Sequence, residues 1–170
     1  MYLAIKMPEF VEKLILMSTT PCFVEKIDWP YGVNKQFFLN FEIEAKKNLN
    51  DTLMKFFLIQ TRGINDSKKM MKFLKNEFIE LRDENKSGMQ SALNVLKEAD
   101  LRNDVKKIDK LTLIITGDKD RLTSTKASVW LYETIKGATL KEIKGANHMP
   151  FISHKETMTA SVKKFLQNDQ

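Results

Sequence analysis

Leu111 to Ser124 reads LTLIITGDKDRLTS, and Thr139 to Ile152 reads TLKEIKGANHMPFI. These two stretches decide the fold. Leu111 to Thr116 is a short apolar, β-branched run closed by Gly117, the signature of a strand buried on both faces. An acidic loop follows, Asp118-Lys119-Asp120. A helix-length segment spans about Ser124 to Lys136, and Gly137 stops it. A second strand runs from Thr139 to Lys144. Gly145 turns the chain and His148 comes directly after. The order is strand, acid, helix, strand, histidine. In a parallel α/β sheet the loops after the carboxyl ends of the strands share one edge. Asp120 and His148 are therefore expected to meet there, and a carboxylate that orients an imidazole supplies two members of a hydrolytic triad.

Working outward, Lys13 to Thr19 is a further buried strand, and Ser18-Thr19-Thr20-Pro21 should end at the same sheet edge. Before it, Met1 to Met7 reads as the end of a helix: Tyr2, Leu3 and Ile5 are apolar, no N-cap precedes them, and Pro8 stops it. Residues 23 to 100 carry helical periodicity only. Asn34 to Asn48 places Phe37, Phe38, Phe41 and Ala45 on one face. Asp51 is expected to cap a second helix holding Leu53, Met54, Phe57 and Leu58, with Gly63 at its end. Asp66 is expected to cap a third, in which Met70, Phe73, Leu74, Phe78 and Leu81 form an apolar stripe. Ser87 is expected to cap a fourth with Met89, Leu93 and Leu96. Lys68, Lys69, Lys72 and Lys75 occupy the opposite face of the third helix, with Arg62 just before it, and Lys68 and Lys72 lie one turn apart. These helices have apolar faces and no strand of their own, so they should pack on each other and over the sheet edge as a lid. Their Phe and Met stripes are mostly core, with a minority lining a pocket. Asp100 and Arg102 read as a charge-assisted pair fastening the exit of this segment. The last helix runs from about Ser153 to Gln167, with Val162, Phe165 and Leu166 inward, and Asn168-Asp169-Gln170 should fray.

The chain has 170 residues, 42% hydrophobic and 29% charged, which suits one soluble globular core. It is read as a single partial domain, 1–170, with 23–100 inserted. The one cysteine, Cys22, permits no internal disulfide, and no Cys/His cluster of metal-binding spacing occurs. Cys22 lacks the Gly-flanked turn that projects a nucleophile and reads as packing beneath the lid. Nothing resembles a cleavable signal and no run is long enough to span a membrane, so a cytoplasmic location is expected. The net charge of +6 favours an acidic partner, whether nucleic acid, an anionic membrane face or an acidic protein. The lysines are not gathered with aromatics into a nucleic-acid motif. A solvated basic surface is the simpler reading.

Gly117-Asp118-Lys119-Asp120-Arg121-Leu122-Thr123 and Gly145-Ala146-Asn147-His148-Met149-Pro150-Phe151 resemble the acid and histidine loops of α/β-hydrolases. Ser18 to Phe23, Trp29-Pro30, Leu58 to Thr61, Ala99 to Arg102 and Pro150 to His154 resemble one branch, the pimeloyl-[acyl-carrier protein] methyl ester esterases of biotin synthesis. The resemblance covers nearly the whole chain but only the second half of that fold. It implies a partial α/β-hydrolase fold with C-terminal parallel strands, flanking helices and an inserted helical lid. It implies Asp120 as the acid, since Gly117 and Asp120 satisfy G-x-x-D, and His148 as the base. Asp118, closer to the strand end, suits a turn hydrogen bond, and His154 suits packing or capping at the last helix. By the same resemblance Arg62, Lys68, Lys72 and Phe151 are substrate- or partner-binding residues, and the partner is acyl carrier protein bearing a pimeloyl methyl ester. At Lys68 and Lys72 the family has arginine; lysine keeps the charge and loses the bidentate fork. No metal or organic cofactor is implied.

The family's oxyanion-hole loop and G-x-S-x-G elbow are not in these residues. Ser18, Ser67, Ser91, Ser124, Ser128, Ser153 and Ser161 lack the flanking glycines, and Ser87, though followed by Gly88, lies in the helical segment. The nucleophile is expected about two helical turns before Met1, from a separate or missing N-terminal half. The chain alone is then expected to be inactive and to expose an apolar sheet edge. Three functions compete: an esterase acting on the carrier-bound methyl ester, another hydrolase of this fold acting on a small ester or C–C bond, and a residual or binding domain without chemistry.

Overall fold

The computed structural model describes residues 1–61, 67–78 and 85–167. Arg62, Gly63, Asp66, Leu81 and the end Asn168-Asp169-Gln170 lie outside the described residues. Three strands, β1 (Lys13–Met17), β2 (Leu111–Gly117) and β3 (Ala138–Ile143), form a parallel sheet in the order β1-β2-β3. Leu16 pairs with Ile114, and Ile114 with Leu140. The middle strand is buried from Thr112 onward, as its uninterrupted apolar reading requires.

The two-residue period of the strands divides the core. Leu16 and Ile114 face a layer made by α1 (Tyr2–Lys6) and α6 (Thr125–Thr134), through Ala4, Leu131 and Ile135. Leu113 and Ile115 face the other way, onto Met158, Val162 and Phe165 of α8 (Lys155–Gln167). Alternate residues of the same two strands thus bury helices on both faces, the arrangement of an α/β layered fold. On its outer side β1 has no strand partner among the described residues.

The helical insert between β1 and β2 comprises α2 (Lys35–Lys47), α3 (Leu49–Thr61), α4 (Ser67–Phe78) and α5 (Asn85–Glu98). It has its own apolar centres, around Phe38, Ala45, Leu49 and Leu93, and around Phe57, Met70 and Leu74. Both reach the sheet edge: Leu122, after β2, joins the first and Met149, after β3, joins the second. The Asp100–Arg102 pair fastens the exit as expected. Arg102 Nε and Nη2 donate to Asp100 at 2.8 and 2.7 Å, and the guanidinium also pairs with Asp28 and lies over the Trp29 ring. Cys22 is buried against Trp29 and Ala127, beneath the loop that enters the insert and not beneath its helices.

Several local expectations are corrected. Asn34 caps α2, accepting from the Phe37 N–H, but Asp51 does not cap α3. Asn48 does so, its Oδ1 accepting from the Asp51 N–H while its amide donates back to the Asp51 carboxylate. The reciprocal pair begins the helix one turn earlier. Ser87 is likewise inside α5, which starts at Asn85. Phe73 is 47% exposed and Leu166 is 50% exposed, so neither belongs to the buried face its periodicity suggested: each is only half covered. The last helix is broken. A one-turn α7 (Pro150–Ser153) precedes α8, and His154 sits at the break with φ −133° and ψ 44°. Among the described residues, no helix is long and apolar enough to cross a membrane.

Candidate active site

Gly117 ends β2 and the chain turns at once into the acidic loop. A methyl group at Gly117 would stand 2.3 and 2.5 Å from the carbonyl oxygens of Ala146 and Asn147. Only glycine lets the end of β2 approach the loop after β3 this closely. The two loops are then stitched together: Lys119 N–H donates to Ala146 O at 2.9 Å, and Gly145 N–H donates to Asp118 Oδ1 at 2.6 Å. The sequence suggests a local turn bond for Asp118; its carboxylate instead accepts from the opposite loop, 27 residues away. Gly145 itself has φ +82°, a left-handed turn that brings the next residues back across the sheet edge.

The stitching sets Asp120 against His148. The Asp120 side chain is fully buried, and His148 Nδ1 lies 2.9 Å from its Oδ2. A carboxylate accepts, so Nδ1 carries the hydrogen and the basic lone pair of the neutral ring is on Nε2. Asp120 is held from its other sides as well. Its Oδ1 accepts from the N–H groups of Leu122 and Thr123 at 2.8 and 3.0 Å, and its Oδ2 accepts from Thr123 Oγ1 at 2.6 Å. Burial by itself pushes this carboxyl up. The hydrogen bond and charge of His148, with the bonds from Thr123, outweigh burial and hold it below its ordinary value. The result is an ionised carboxylate locked in one orientation, holding one imidazole tautomer.

His148 is one quarter exposed at its side chain and lines a cavity of about 280 Å³ at the sheet edge. Its surface is mostly apolar, from Phe23, Phe56, Leu96 and Leu122 among others, and Ser18, Thr19 and Thr20 stand on its lining beside His148. Ser18 has φ 45°, in the left-handed region, and its buried hydroxyl has no partner among the described residues. A serine held in that strained turn with an unpaired hydroxyl is a feature of the site.

The other residues singled out in the sequence are not gathered there. Lys68 and Lys72 are exposed on α4. Phe151 is 45% exposed on α7 and is not part of the cavity wall beside His148. Arg62 lies outside the described residues. His154 turns its Nδ1 to Ser153 Oγ at 2.9 Å, a local contact at the helix break. Conversely, sequence reasoning missed Thr123 and Asn147. The D-x-x-T spacing was a usable sign for Thr123, since an Asp at a turn accepts from the residues two and three ahead. For Asn147, whose amide donates to the Gln60 carbonyl at 2.7 Å, no local sign exists.

No protein-family model matches the chain. It is 33% identical over 168 residues to the pimeloyl-[acyl-carrier protein] methyl ester esterase of Wigglesworthia glossinidia brevipalpis, covering 97% of this chain and 64% of that protein. It is 29% identical over 154 residues to the protein of the same name from Nitrosomonas europaea, covering 91% and 61%. The chain thus spans about three-fifths of the length of the curated relatives it matches. Among solved structures, it superposes on an esterase from Exiguobacterium antarcticum with a TM-score of 0.83 at 23% identity, covering 93% of this chain and 58% of that one. The enol-lactonase from Burkholderia xenovorans gives 0.81 at 20% identity, covering 98% and 60%. These structural likenesses establish the fold.

Proposed function

We propose, for a chain whose fold is that of an α/β-hydrolase and whose sequence resembles the pimeloyl-[acyl-carrier protein] methyl ester esterases, that it supplies the acid and base of a carboxylic ester hydrolase. The observation that carries this is the 2.9 Å contact between buried Asp120 and the Nδ1 of His148 at the sheet edge. In the proposed reaction Nε2 of His148 takes the proton of an attacking serine hydroxyl as that oxygen bonds to the ester carbonyl. Asp120 stays ionised and stabilises the imidazolium. His148 then gives the proton to the leaving alkoxide, and the alcohol departs. Water repeats the sequence on the acyl-serine, with His148 again taking and returning a proton, and the free acid leaves.

The serine is supplied from outside these residues. None of their serines stands in a G-x-S-x-G elbow, and the pair at the sheet edge has chemistry to do only with a nucleophile in front of Nε2. The outer edge of β1, which has no strand partner among the described residues, is where further parallel strands of the fold would add. The helical insert acts as a lid, since Leu122 and Met149, flanking the site, are built into its apolar centres. The substrate is a methyl ester of a pimeloyl group on acyl carrier protein, as the relatives' names suggest. The exposed Lys68 and Lys72, with Arg62, would face the acidic carrier, and Phe151 would lie at the rim of that contact.

The test is intact mass after exposure to a fluorophosphonate probe, without and with the N-terminal portion of the Wigglesworthia protein. The chain alone should stay unmodified. The mixture should gain one adduct, on the added portion, that His148→Ala abolishes. An adduct on the chain alone would place the nucleophile among its own serines. A reconstituted protein that takes the probe and leaves the methyl ester of pimeloyl carrier protein intact would overturn the substrate assignment.

A further inference from the structure

The loop that carries His148, from Gly145 to Met149, is held from two sides. From the loop after β2, Asp118 accepts the Gly145 N–H, Lys119 N–H donates to Ala146 O, and Asp120 faces His148. From α3, the Gln60 carbonyl accepts the Asn147 amide. A third hold comes from the chain that follows, at the break between α7 and α8.

His154 sits at that break. Its N–H donates to Pro150 O at 2.8 Å and its carbonyl accepts from Met158 N–H at 3.0 Å, so the backbone on both sides fixes it. Met158 itself packs with Ala146 of the loop. The φ of −133° and ψ of 44° take His154 out of the helical path, and its ring lies back on the loop. A methyl built on Gly145 would stand 3.6 Å from His154 Nε2, an ordinary contact. The ring thus borders the left-handed turn, φ +82°, with which the loop begins.

The other ring nitrogen reaches the end of the loop. Nδ1 of His154 lies 2.9 Å from Ser153 Oγ, and Ser153 Oγ donates to Met149 O at 3.1 Å, the bond a helical serine makes to the carbonyl four residues back. A hydroxyl has one hydrogen, and here the carbonyl takes it, so Nδ1 of His154 is the donor. The opposite tautomer would carry its hydrogen on Nε2, on the Gly145 side, where no acceptor is bonded to it among the described residues. One imidazole therefore touches the first residue of the loop and, through a serine, the carbonyl of the last.

We infer that His154 is a positioning residue for His148: with Ser153 it clasps the loop at Gly145 and Met149 and keeps Nδ1 of His148 in register with Asp120. This rests on the reading of His148 as the base, but the His148 ring itself reports it, with no nucleophile or ester present.

The chain has two histidines, so labelling histidine with nitrogen-15 gives two sets of ring signals. In the whole chain at mildly alkaline pH both should show the Nδ1–H tautomer. Ser153→Ala and His154→Ala should each speed exchange of the His148 Nδ1 hydrogen with water about tenfold, the shift in population that loss of one hydrogen bond allows. His154→Asn puts an amide nitrogen where Nδ1 stood and should restore slow exchange. His154→Gln puts it where Nε2 stood and should not. Ser161→Ala removes a like bond, to Thr157 O, farther along α8, and should change nothing at His148. The backbone amides of β2 report global opening and should speed up less than the His148 hydrogen. A His148 hydrogen indifferent to both alanine variants, or one that speeds up only in step with those amides, overturns the clasp. So does a glutamine that serves as well as asparagine. An inactive reconstituted enzyme with the exchange results as expected would count against the ester reading alone.

Discussion

The side-chain amide of Asn147 donates to the main-chain carbonyl of Gln60 at 2.7 Å, so the residue before His148 is bonded to the C-terminal turn of α3. Carbonyls in the last turn of a helix have no partner within it, and Asn147, itself buried, satisfies this one. One bond thus serves the end of a helix in the insert and the placement of the histidine loop.

Asn147→Ala should cost about 1–3 kcal/mol in a denaturant melt, because the buried Gln60 carbonyl loses the donor that Asn147 supplies. A purely stabilising role would end there. If the bond also positions His148, the variant should lower turnover of the reconstituted enzyme with little change in KM, and Asn147→Gln should rescue neither, since its longer amide overshoots. Turnover equal to wild type in a folded Asn147→Ala protein would refute the positioning role.

Asp120→Asn tests the orientation of the imidazole. An amide nitrogen facing Nδ1 would force the hydrogen onto Nε2 and remove the base. Nitrogen NMR shifts should show the Nδ1–H tautomer of His148 in the wild type and the other in the variant. Activity on reconstitution should fall about 10⁴-fold. A pH effect follows with a definite sign. Asp120 is held below its ordinary value of 3.8 in the folded chain, so the unfolded chain binds its proton more readily. Its contribution is complete above that ordinary value and is lost as pH falls through the folded one. Wild-type stability should therefore drop more steeply than that of Asp120→Asn on acidification below about pH 4. Parallel acid melts would count against the assignment.

The order of strands, acid and histidine was legible because apolar β-branched runs and Gly117, Gly137 and Gly145 punctuate the chain on a local scale. The helices of the insert were legible from their periodicity. What local pattern cannot hold is which neighbour arrives from far along the chain. Asn147 and Gln60 are 87 residues apart, and neither residue type signals the other. The same limit explains Phe73 and Leu166: periodicity marks a face as apolar but not how far its cover extends. At α3 both Asn48 and Asp51 are good capping residues one turn apart, and the reciprocal bond that selects Asn48 is visible only in three dimensions. The strained backbone of Ser18 has no sequence signature either, since a serine after a strand is ordinary.

Gly117→Ala should be among the most damaging single-methyl changes in the chain. Its new carbon would meet backbone oxygens of Ala146 and Asn147 and not the yielding end of a side chain. Overpacking of this kind costs about 1–3 kcal/mol. The strain should also open the stitching between Gly145 and Asp118, so the His148 ring signals should shift in NMR while the methyl signals of Leu131, packed on the opposite face of the sheet from Ala146, stay put. A variant as stable as wild type with unmoved His148 signals would show that the loops slide apart freely.

Arg102→Ala should destabilise the chain by about 1.5–3 kcal/mol, the range for hydrogen bonds to a charged partner. The guanidinium bonds Asp100 twice, pairs with Asp28 at 3.0 Å and covers the Trp29 ring. Its first effect is on Asp100, whose carboxyl it holds far below the usual range through these bonds, with Lys26 assisting. Arg102→Lys keeps the charge and loses the fork, so it should recover only part of the loss. Full recovery by lysine would mean that charge alone fastens the insert.

Cys22 should be inert in the folded chain. Burial, followed by the nearby charge of Asp100, pushes its thiol above the ordinary value, and reactivity belongs to the thiolate. Iodoacetamide at pH 8 should alkylate it far more slowly in native buffer than in denaturant, and the native rate should follow the opening of the Trp29 loop that covers it. Because Trp29 also carries Arg102, the two sites are linked. Arg102→Ala should speed alkylation of Cys22 in native buffer by loosening that loop, while Asn147→Ala, in the histidine loop and bonded to the end of α3, should not. Equal acceleration by both variants would mean that Cys22 reports global unfolding, and the local fastening would have to be assigned elsewhere.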